Sequence, residues 1–252
     1  MSPMTRYEIK YRIPPSHAAA IGRWIGRFMT PDAHGNGAYH IHSLYLDGPD
    51  WGIYRDTCNG SFARLKLRAR TYSFGPDAPV FLEVKARKGE SMKKTRVELS
   101  RDDAARVLWG EAPLAAPPSE PLERFRVQQL LHRAVPRVWV TYRREAFVAE
   151  DRLGLVRITF DTGIAWGDPT VDLSEPRQWK LLADVRGQVV VELKYYGSYP
   201  GWVADMVRRF DLERKAMSKY RHSVDALRDS QRIPLPLAQP VPRHALALEY
   251  VR

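Results

Sequence analysis

The sequence predicts an α+β protein in which a mostly antiparallel sheet of roughly eight strands closes toward a barrel, with flanking helices. Three observations support this class. Short segments alternate charged and apolar residues with the period of two that a half-buried strand requires. The connections between these segments are short, which favours antiparallel neighbours. Segments with apolar residues at helical spacing lie between them.

The strands are predicted from this alternation. The clearest case places Arg64, Lys66, Arg68 and Arg70 on one face and apolar residues on the other. In chain order, the predicted strands are the N-terminal segment up to Ile13 and residues 40–47, 61–73, 79–87, 93–99, 137–149, 154–161 and 188–196.

Helices are predicted from apolar spacing and from capping residues. Pro14 and Pro15 end the first strand, and Ser16 is predicted to cap the helix that follows. Ser100 and Asp103 form a variant of the capping box, before a helix that ends at Gly110. The other predicted helical segments are a single turn around Ile53 and Tyr54 and helices at 122–134, Trp202 to Phe210 and 217–228.

Proline content sets the predicted domain boundary. Residues 233–252 contain too many prolines for a core element, so we expect a tail or linker there. One domain is therefore predicted over residues 1–232.

Charge and cysteine content restrict the partners and the compartment. The chain has 40 Lys and Arg against 29 Asp and Glu, a formal charge of +11. Such a charge attracts nucleic acid, anionic membranes or phosphorylated small molecules. Cys58 is the only cysteine, and no apolar run approaches the roughly 20 residues of a membrane span. We expect a cytoplasmic protein with no transmembrane segment, which would associate with a membrane only through a partner.

The charged faces of the strands suggest a binding surface for a polyanion. A row of like charges along one strand is destabilising, so a solvated face would more readily use Thr, Ser, Gln or mixed charges. Several strands instead place a carboxylate two residues before a lysine, as Glu8, Glu83 and Glu192 do. That pairing suits a site for phosphate and a divalent cation. An ordinary sheet with one face in water gives the same alternation and is the alternative interpretation.

Eight short motifs follow one another along the chain: RYEIKYRI, KLRARTY, FLEVKARK, KKTR, TYRREAF, VRITFD, VVELKY and SKY. In this order they resemble VTC domains, the polyphosphate-polymerase domains of the triphosphate tunnel metalloenzyme (CYTH-like) superfamily. The resemblance covers roughly residues 5–228. The resemblance implies an eight-stranded antiparallel β-tunnel whose inner wall carries Arg, Lys and Glu.

The resemblance also implies an activity and a set of site residues. The terminal phosphoryl group of ATP would move to a growing inorganic polyphosphate chain, assisted by Mn or Mg. The implied phosphate-binding, catalytic cations are Lys10, Arg68, Arg70, Lys85, Lys94, Arg144, Arg157 and Lys219. The implied substrate-binding neighbours are Lys66, Arg96, Lys194, Glu8 and Glu83, and the implied metal ligand is Glu192.

Three other functions are compatible with such a surface. The first is a phosphohydrolase of tripolyphosphate or nucleoside triphosphates, but superfamily hydrolases commonly carry two carboxylates in an N-terminal E-x-E-x-K motif. This chain has only Glu8 before Lys10. The second is a non-catalytic module that binds polyphosphate or inositol phosphates. The third, nucleic-acid binding, is disfavoured because the basic residues share strands with Glu and no aromatic-basic signature of an RNA-binding sheet is present.

Overall fold

The computed structural model describes residues 6–89, 91–110, 116–151, 154–170, 172–198 and 200–231. The predicted tail at 233–252 lies outside the described residues, and the predicted domain over 1–232 stays a prediction. None of the helices in the described part of the chain has the length and apolar character that crossing a bilayer requires.

The described residues form ten strands and six α-helices. The strands are β1 Arg6–Ile13, β2 Thr30–Pro31, β3 Ala38–Asp47, β4 Ala63–Thr71, β5 Val80–Lys88, β6 Ser91–Leu99, β7 Val135–Asp151, β8 Gly154–Gly167, β9 Lys180–Leu181 and β10 Val189–Tyr196. The helices are α1 Pro15–Ile25, α2 Gly52–Asn59, α3 Arg101–Trp109, α4 Glu120–Leu131, α5 Gly201–Arg209 and α6 Lys219–Gln231.

Contacts divide the chain into two compact units. The first comprises residues 1–41, 141–165 and 181–219, and the second comprises residues 42–140, 166–180 and 220–252. β3 and β7 each contribute residues to both units.

The first unit buries one face of its sheet under two helices. β10 lies between β1 and β8, and both pairings are antiparallel. Ile9 and Tyr11 of β1 and Leu193 of β10 are buried in the same core as Ile21 of α1 and Val203 of α5. Because side chains alternate along a strand, Glu8, Lys10, Glu192 and Lys194 lie on the opposite face. The burial of the apolar face thus fixes where the charges lie.

The second unit contains the antiparallel series β3, β4, β5 and β6. Helices α3 and α4 pack against β5 and β6. Leu67, Leu82 and Val84 are buried. The residues that alternate with them in β4 and β5, such as Lys66 and Glu83, therefore share the other face.

The predicted α+β class with a largely antiparallel sheet is confirmed. Eight of the described strands have eight residues or more, the number that the sequence predicts. Closure into a barrel stays a prediction, because the strand pairings of the described residues include none between β1 and β6.

Several local predictions need correction. The first helix is capped at Pro14 rather than at Ser16. Pro15 is the first residue of this helix, and a proline suits that position because its missing amide would have no partner within the helix. The predicted single turn around Ile53 is an eight-residue helix, α2. The predicted cap at Ser100 and the end at Gly110 are confirmed: the Ser100 side chain accepts a hydrogen bond from the Asp103 amide, and Gly110 ends the helix at φ 77°.

Candidate functional site: two clusters of charged side chains

Strand register in the first unit aligns its charged residues in two adjacent rows. Lys10 lies opposite Glu192, which lies opposite Thr159 of β8. In the neighbouring row, Glu8 lies opposite Lys194, which lies opposite Arg157. We call Glu8, Lys10, Arg144, Asp161, Glu192, Lys194 and Lys219 the Glu192 cluster.

Glu192 lies among four cationic side chains. Its Oε1 is 3.1 Å from Lys219 Nζ and 3.7 Å from Lys10 Nζ. Its Oε2 is 2.9 Å from Lys194 Nζ and 3.6 Å from Arg144 Nη2. Burial by itself would raise the pKa of Glu192, but the four cations outweigh it and hold that pKa well below its usual value. The carboxylate is therefore ionised at neutral pH.

Asp161 is a second buried carboxylate in this cluster. Arg144 binds it with two parallel hydrogen bonds, and Lys219 Nζ lies 2.6 Å from its Oδ2. Burial favours the neutral acid, yet the charges of Lys219 and Arg144 lower the pKa of Asp161. Tyr142 packs beneath both cations, with its ring centroid 4.7 Å from Lys219 Nζ. Asp161 therefore positions two of the cations that contact Glu192.

Arg157 contacts a different carboxylate. Its guanidinium donates hydrogen bonds to Asp32 Oδ2 and to the Tyr39 hydroxyl. Burial tends to raise the pKa of Asp32, but the hydrogen bonds from Arg157 and the His34 amide lower it. The geometry thus gives Arg157 a defined structural partner.

The second unit carries a more strongly cationic surface. Lys66 of β4, Lys85 of β5 and Lys94 of β6 lie directly opposite one another in one row. In the next row, Arg68 lies opposite Glu83, which lies opposite Arg96. These two rows together contain five cations and one carboxylate. We call the first of them the lysine row and the second the Glu83 row.

Glu83 is fully buried at the centre of its row. Arg68 Nε donates to Glu83 Oε2 at 2.6 Å, and Lys94 Nζ lies 2.6 Å from Oε1. Arg96 is more distant, at 3.9 Å. Burial would raise the pKa of Glu83, but the charges of Arg68, Arg70 and Lys94 lower it far below its usual value. One ionised carboxylate thus orients the cations on both sides of it.

Polar side chains of β3 hold two of the three arginines of β4. Arg68 Nη1 donates to the Tyr45 hydroxyl at 3.1 Å, and Arg70 Nε donates to Ser43 Oγ at 3.3 Å. Tyr45 stacks on Tyr220 with ring centroids 4.9 Å apart. Both arginines are therefore buried and positioned, whereas the Lys94 side chain stays 38% exposed.

Comparison with known protein families assigns residues 5–228 to the VTC domain. The chain belongs to the VTC domain family. This match confirms the resemblance carried by the eight motifs. Membership of the family points to the phosphate and nucleotide chemistry of triphosphate tunnel proteins. No match is found among curated proteins.

Two solved structures show overall similarity to this VTC domain. A proposed adenylate cyclase from Bacillus halodurans is 13% identical with a TM-score of 0.47, and the match covers 85% of this chain and 96% of that chain. A protein from Pyrococcus horikoshii is 13% identical with a TM-score of 0.45, covering 87% of this chain and 99% of that chain.

The donor set of this VTC domain fits a metal ion that arrives with phosphate. Within the described residues, no three His, Cys, Asp or Glu side chains are grouped as a metal cage requires. Glu8 and Glu192 both approach Lys10 and Lys194. Mg²⁺ and Mn²⁺ commonly take one or two carboxylates and complete their shell with phosphate and water. Glu192 and Glu8 would hold such an ion.

The structure brings most of the residues implied by the resemblance into the two clusters. Lys10, Arg144, Lys194 and Lys219 surround Glu192, whereas Arg157 contacts Asp32. Lys66, Arg68, Arg70, Lys85, Lys94 and Arg96 lie along the face that carries Glu83.

Sequence reasoning missed several polar partners. Asp161 closes the motif VRITFD, Tyr142 lies in TYRREAF and Tyr220 ends SKY, so the motifs contained the signal. Thr159 Oγ1 is buried beside Glu192 in its row and has no hydrogen-bond partner within the described residues. Asp32 belongs to no motif, and nothing local in the sequence identifies it.

Proposed function

We propose that this VTC domain is a polyphosphate polymerase that transfers the terminal phosphoryl group of ATP to a growing inorganic polyphosphate chain. The main observation in support of the proposal is the alignment of the lysine row. Lys66, Lys85 and Lys94 lie opposite one another on three adjacent strands. Directly opposed like charges destabilise a sheet, and a linear polyanion relieves that repulsion at several positions at once.

Arginine and lysine would have different tasks in this reaction. Arg68 and Arg70 are held by β3 and by Glu83, so their planar forks can bind a phosphate in a fixed orientation. The more exposed lysines provide compact charges that can follow a moving chain. The proposal includes the prediction that the strands close into an eight-stranded barrel and that the polyphosphate chain lies inside it.

The reaction needs no protein nucleophile. A terminal oxygen of the acceptor chain attacks the γ-phosphorus of ATP, a new P–O bond forms, and the bond to the bridging β–γ oxygen breaks. ADP leaves with that electron pair. Phosphoryl transfer depends mainly on positioning and on stabilising the charge of the equatorial oxygens, which the arginines and lysines supply. A bound Mn or Mg ion would neutralise further phosphate charge near Glu192.

The carboxylate content favours transfer over two-metal hydrolysis. β1 places a single carboxylate, Glu8, beside Lys10. Both oxygens of Glu192 are already within 3.7 Å of cations. One phosphate-bound ion is compatible with this set, and the described residues contain no group of three His, Cys, Asp or Glu that would hold metal ions without phosphate.

Incubation of the purified protein with ATP and Mn²⁺ tests the proposal, with products separated on a polyphosphate-stained gel and free phosphate measured in parallel. Lys85→Gln and Glu192→Ala should each abolish the polymer ladder. Lys215→Gln is the matched control for Lys85→Gln: it removes the same charge from an exposed side chain paired with Glu213. Free phosphate without polymer would identify a phosphohydrolase. Tight polyphosphate binding without either product would identify a binding module.

A further inference from the structure

A cavity of about 100 Å³ lies beside β4, β5, β6 and helix α4 in the second unit. Its lining includes Leu65, Val84 and Thr95, which alternate along their strands with Lys66, Lys85 and Lys94. Because side chains alternate between the faces of a sheet, the cavity lies on the face opposite the lysine row. These three lining residues therefore face away from the surface proposed to bind polyphosphate.

The inner lining is largely apolar. Ala63, Leu65, Val84 and Ala86 contribute its aliphatic surface. An apolar cavity of about 150 Å³ can hold benzene, so a volume of 100 Å³ suits a chain of a few carbon atoms.

Two polar atoms in the lining have no protein partner. Thr95 Oγ1 and His132 Nε2 are both buried and have no hydrogen-bond partner within the described residues. Burial lowers the pKa of His132 despite the nearby charges of Asp47, Asp56 and Asp50, so its imidazole is neutral at pH 7. Leaving a buried polar atom unpaired is unfavourable. Both atoms are therefore suited to a hydroxyl or carbonyl group of a bound molecule.

Cations dominate the charged part of the lining. They are Arg64, Arg87, Lys88, Lys93 and Arg124, against the single acid Asp56. Arg64 and Arg87 lie directly opposite each other on β4 and β5. Burial, and then the like charge of Arg87, lower the pKa of Arg64. An anionic group would relieve this repulsion.

We propose that this cavity is a second binding site, which takes a small organic anion. A short apolar body carrying a hydroxyl or carbonyl group would occupy the cavity. Its carboxylate or phosphate group would lie among the lining cations. The site does not depend on the proposed polymerase function, because its aliphatic lining and Thr95 face away from the lysine row. Arg64 and Arg87 are the exception: they alternate with Leu65 and Ala86 and so lie on the same face as the lysine row.

Ligand-observed saturation-transfer NMR with 4-hydroxybutyrate tests this site. Butyrate lacks the hydroxyl, and 1-butanol lacks the charge. Butyl phosphate differs from butyrate in its head group, so the tighter binder of these two identifies the preferred anion. We expect the strongest binding for 4-hydroxybutyrate and weaker binding for butyrate, which leaves the buried polar atoms unpaired. Binding of 1-butanol should be about tenfold weaker than that of 4-hydroxybutyrate, because it loses the charge-assisted hydrogen bonds.

Variants on one helix separate this site from general charge attraction. Arg124→Gln alters a lining residue, whereas Arg126→Gln removes the same charge from an exposed position of α4 outside the lining. We expect about tenfold weaker 4-hydroxybutyrate binding in Arg124→Gln and no change in Arg126→Gln. Ala86→Leu, which fills the cavity, should abolish the signal. Equal effects of the two arginine variants, or no saturation transfer to any probe, would overturn the proposal.

Discussion

Arg144 binds Asp161 through two parallel hydrogen bonds, 2.6 Å from Nε to Oδ1 and 2.7 Å from Nη2 to Oδ2. Asp161 is fully buried and Arg144 nearly so. Bidentate pairs of this kind fix the orientation of the guanidinium as well as its charge. Arg144 can therefore approach Glu192 only from the direction that Asp161 sets.

Asp161→Asn should strongly destabilise the protein. The substitution leaves the buried charges of Arg144 and Lys219 without this carboxylate, and breaking a buried ion pair typically decreases the free energy of unfolding by about 3–5 kcal/mol. Chemical denaturation measures the change. Glu213→Gln is the control, because Glu213 is 78% exposed and pairs with an exposed lysine; its effect should stay below about 1 kcal/mol. Similar effects of both substitutions would contradict the structural role of Asp161.

Stability should decrease as the solution becomes acidic. The pKa values of Asp161, Glu192 and Glu83 are lowered in the folded protein. Their stabilising contribution is thus complete above the unfolded-state values near pH 4 and is lost as the pH falls below them, where the unfolded chain binds more protons. Thermal unfolding between pH 7 and pH 3 measures the loss. An unfolding temperature independent of pH below pH 4 would contradict these pKa directions.

Lys85→Gln should weaken the response of the protein to tripolyphosphate, because it removes the middle charge of the lysine row. Tripolyphosphate should raise the melting temperature of the parent protein strongly, and of the variant less, because stabilisation follows affinity. Differential scanning fluorimetry measures both, with Lys215→Gln as the control. A full tripolyphosphate shift in Lys85→Gln would exclude the lysine row as the binding surface.

Manganese should bind only together with phosphate. Four cations surround Glu192, so Mn²⁺ alone should leave the melting temperature unchanged, whereas Mn²⁺ added with tripolyphosphate should raise it beyond the effect of tripolyphosphate alone. Glu192→Gln should lower the ligand-free melting temperature, because it leaves buried cations unpaired, and it should lose the Mn²⁺-dependent increment measured from its own baseline. Glu145→Gln, at a side chain 43% exposed and paired with Arg143, is the control. An unchanged increment in Glu192→Gln would show that the metal binds elsewhere.

The strands and their charged faces could be predicted because a period of two is a local property of the sequence. Lys66, Lys85 and Lys94 were identified on this basis and through the family motifs. Their alignment in one row depends on register, which local pattern does not give. The partners of the cations are harder to predict. Asp32 is 125 positions from Arg157, and only the folded chain brings these two side chains together. Asp161, 17 positions from Arg144, lies within the motif VRITFD, but neither the alternation nor the motif shows that the two side chains pair.

The alternation of side chains along β4, β5 and β6 restricts how these strands can change in length. A one-residue insertion or deletion within a strand moves every following side chain to the other face. On β5 such a change would carry Lys85 toward the helices and turn Val84 toward the face proposed to bind polyphosphate. Changes of two residues preserve both faces. We therefore expect the interiors of these strands to tolerate length variation only in even steps.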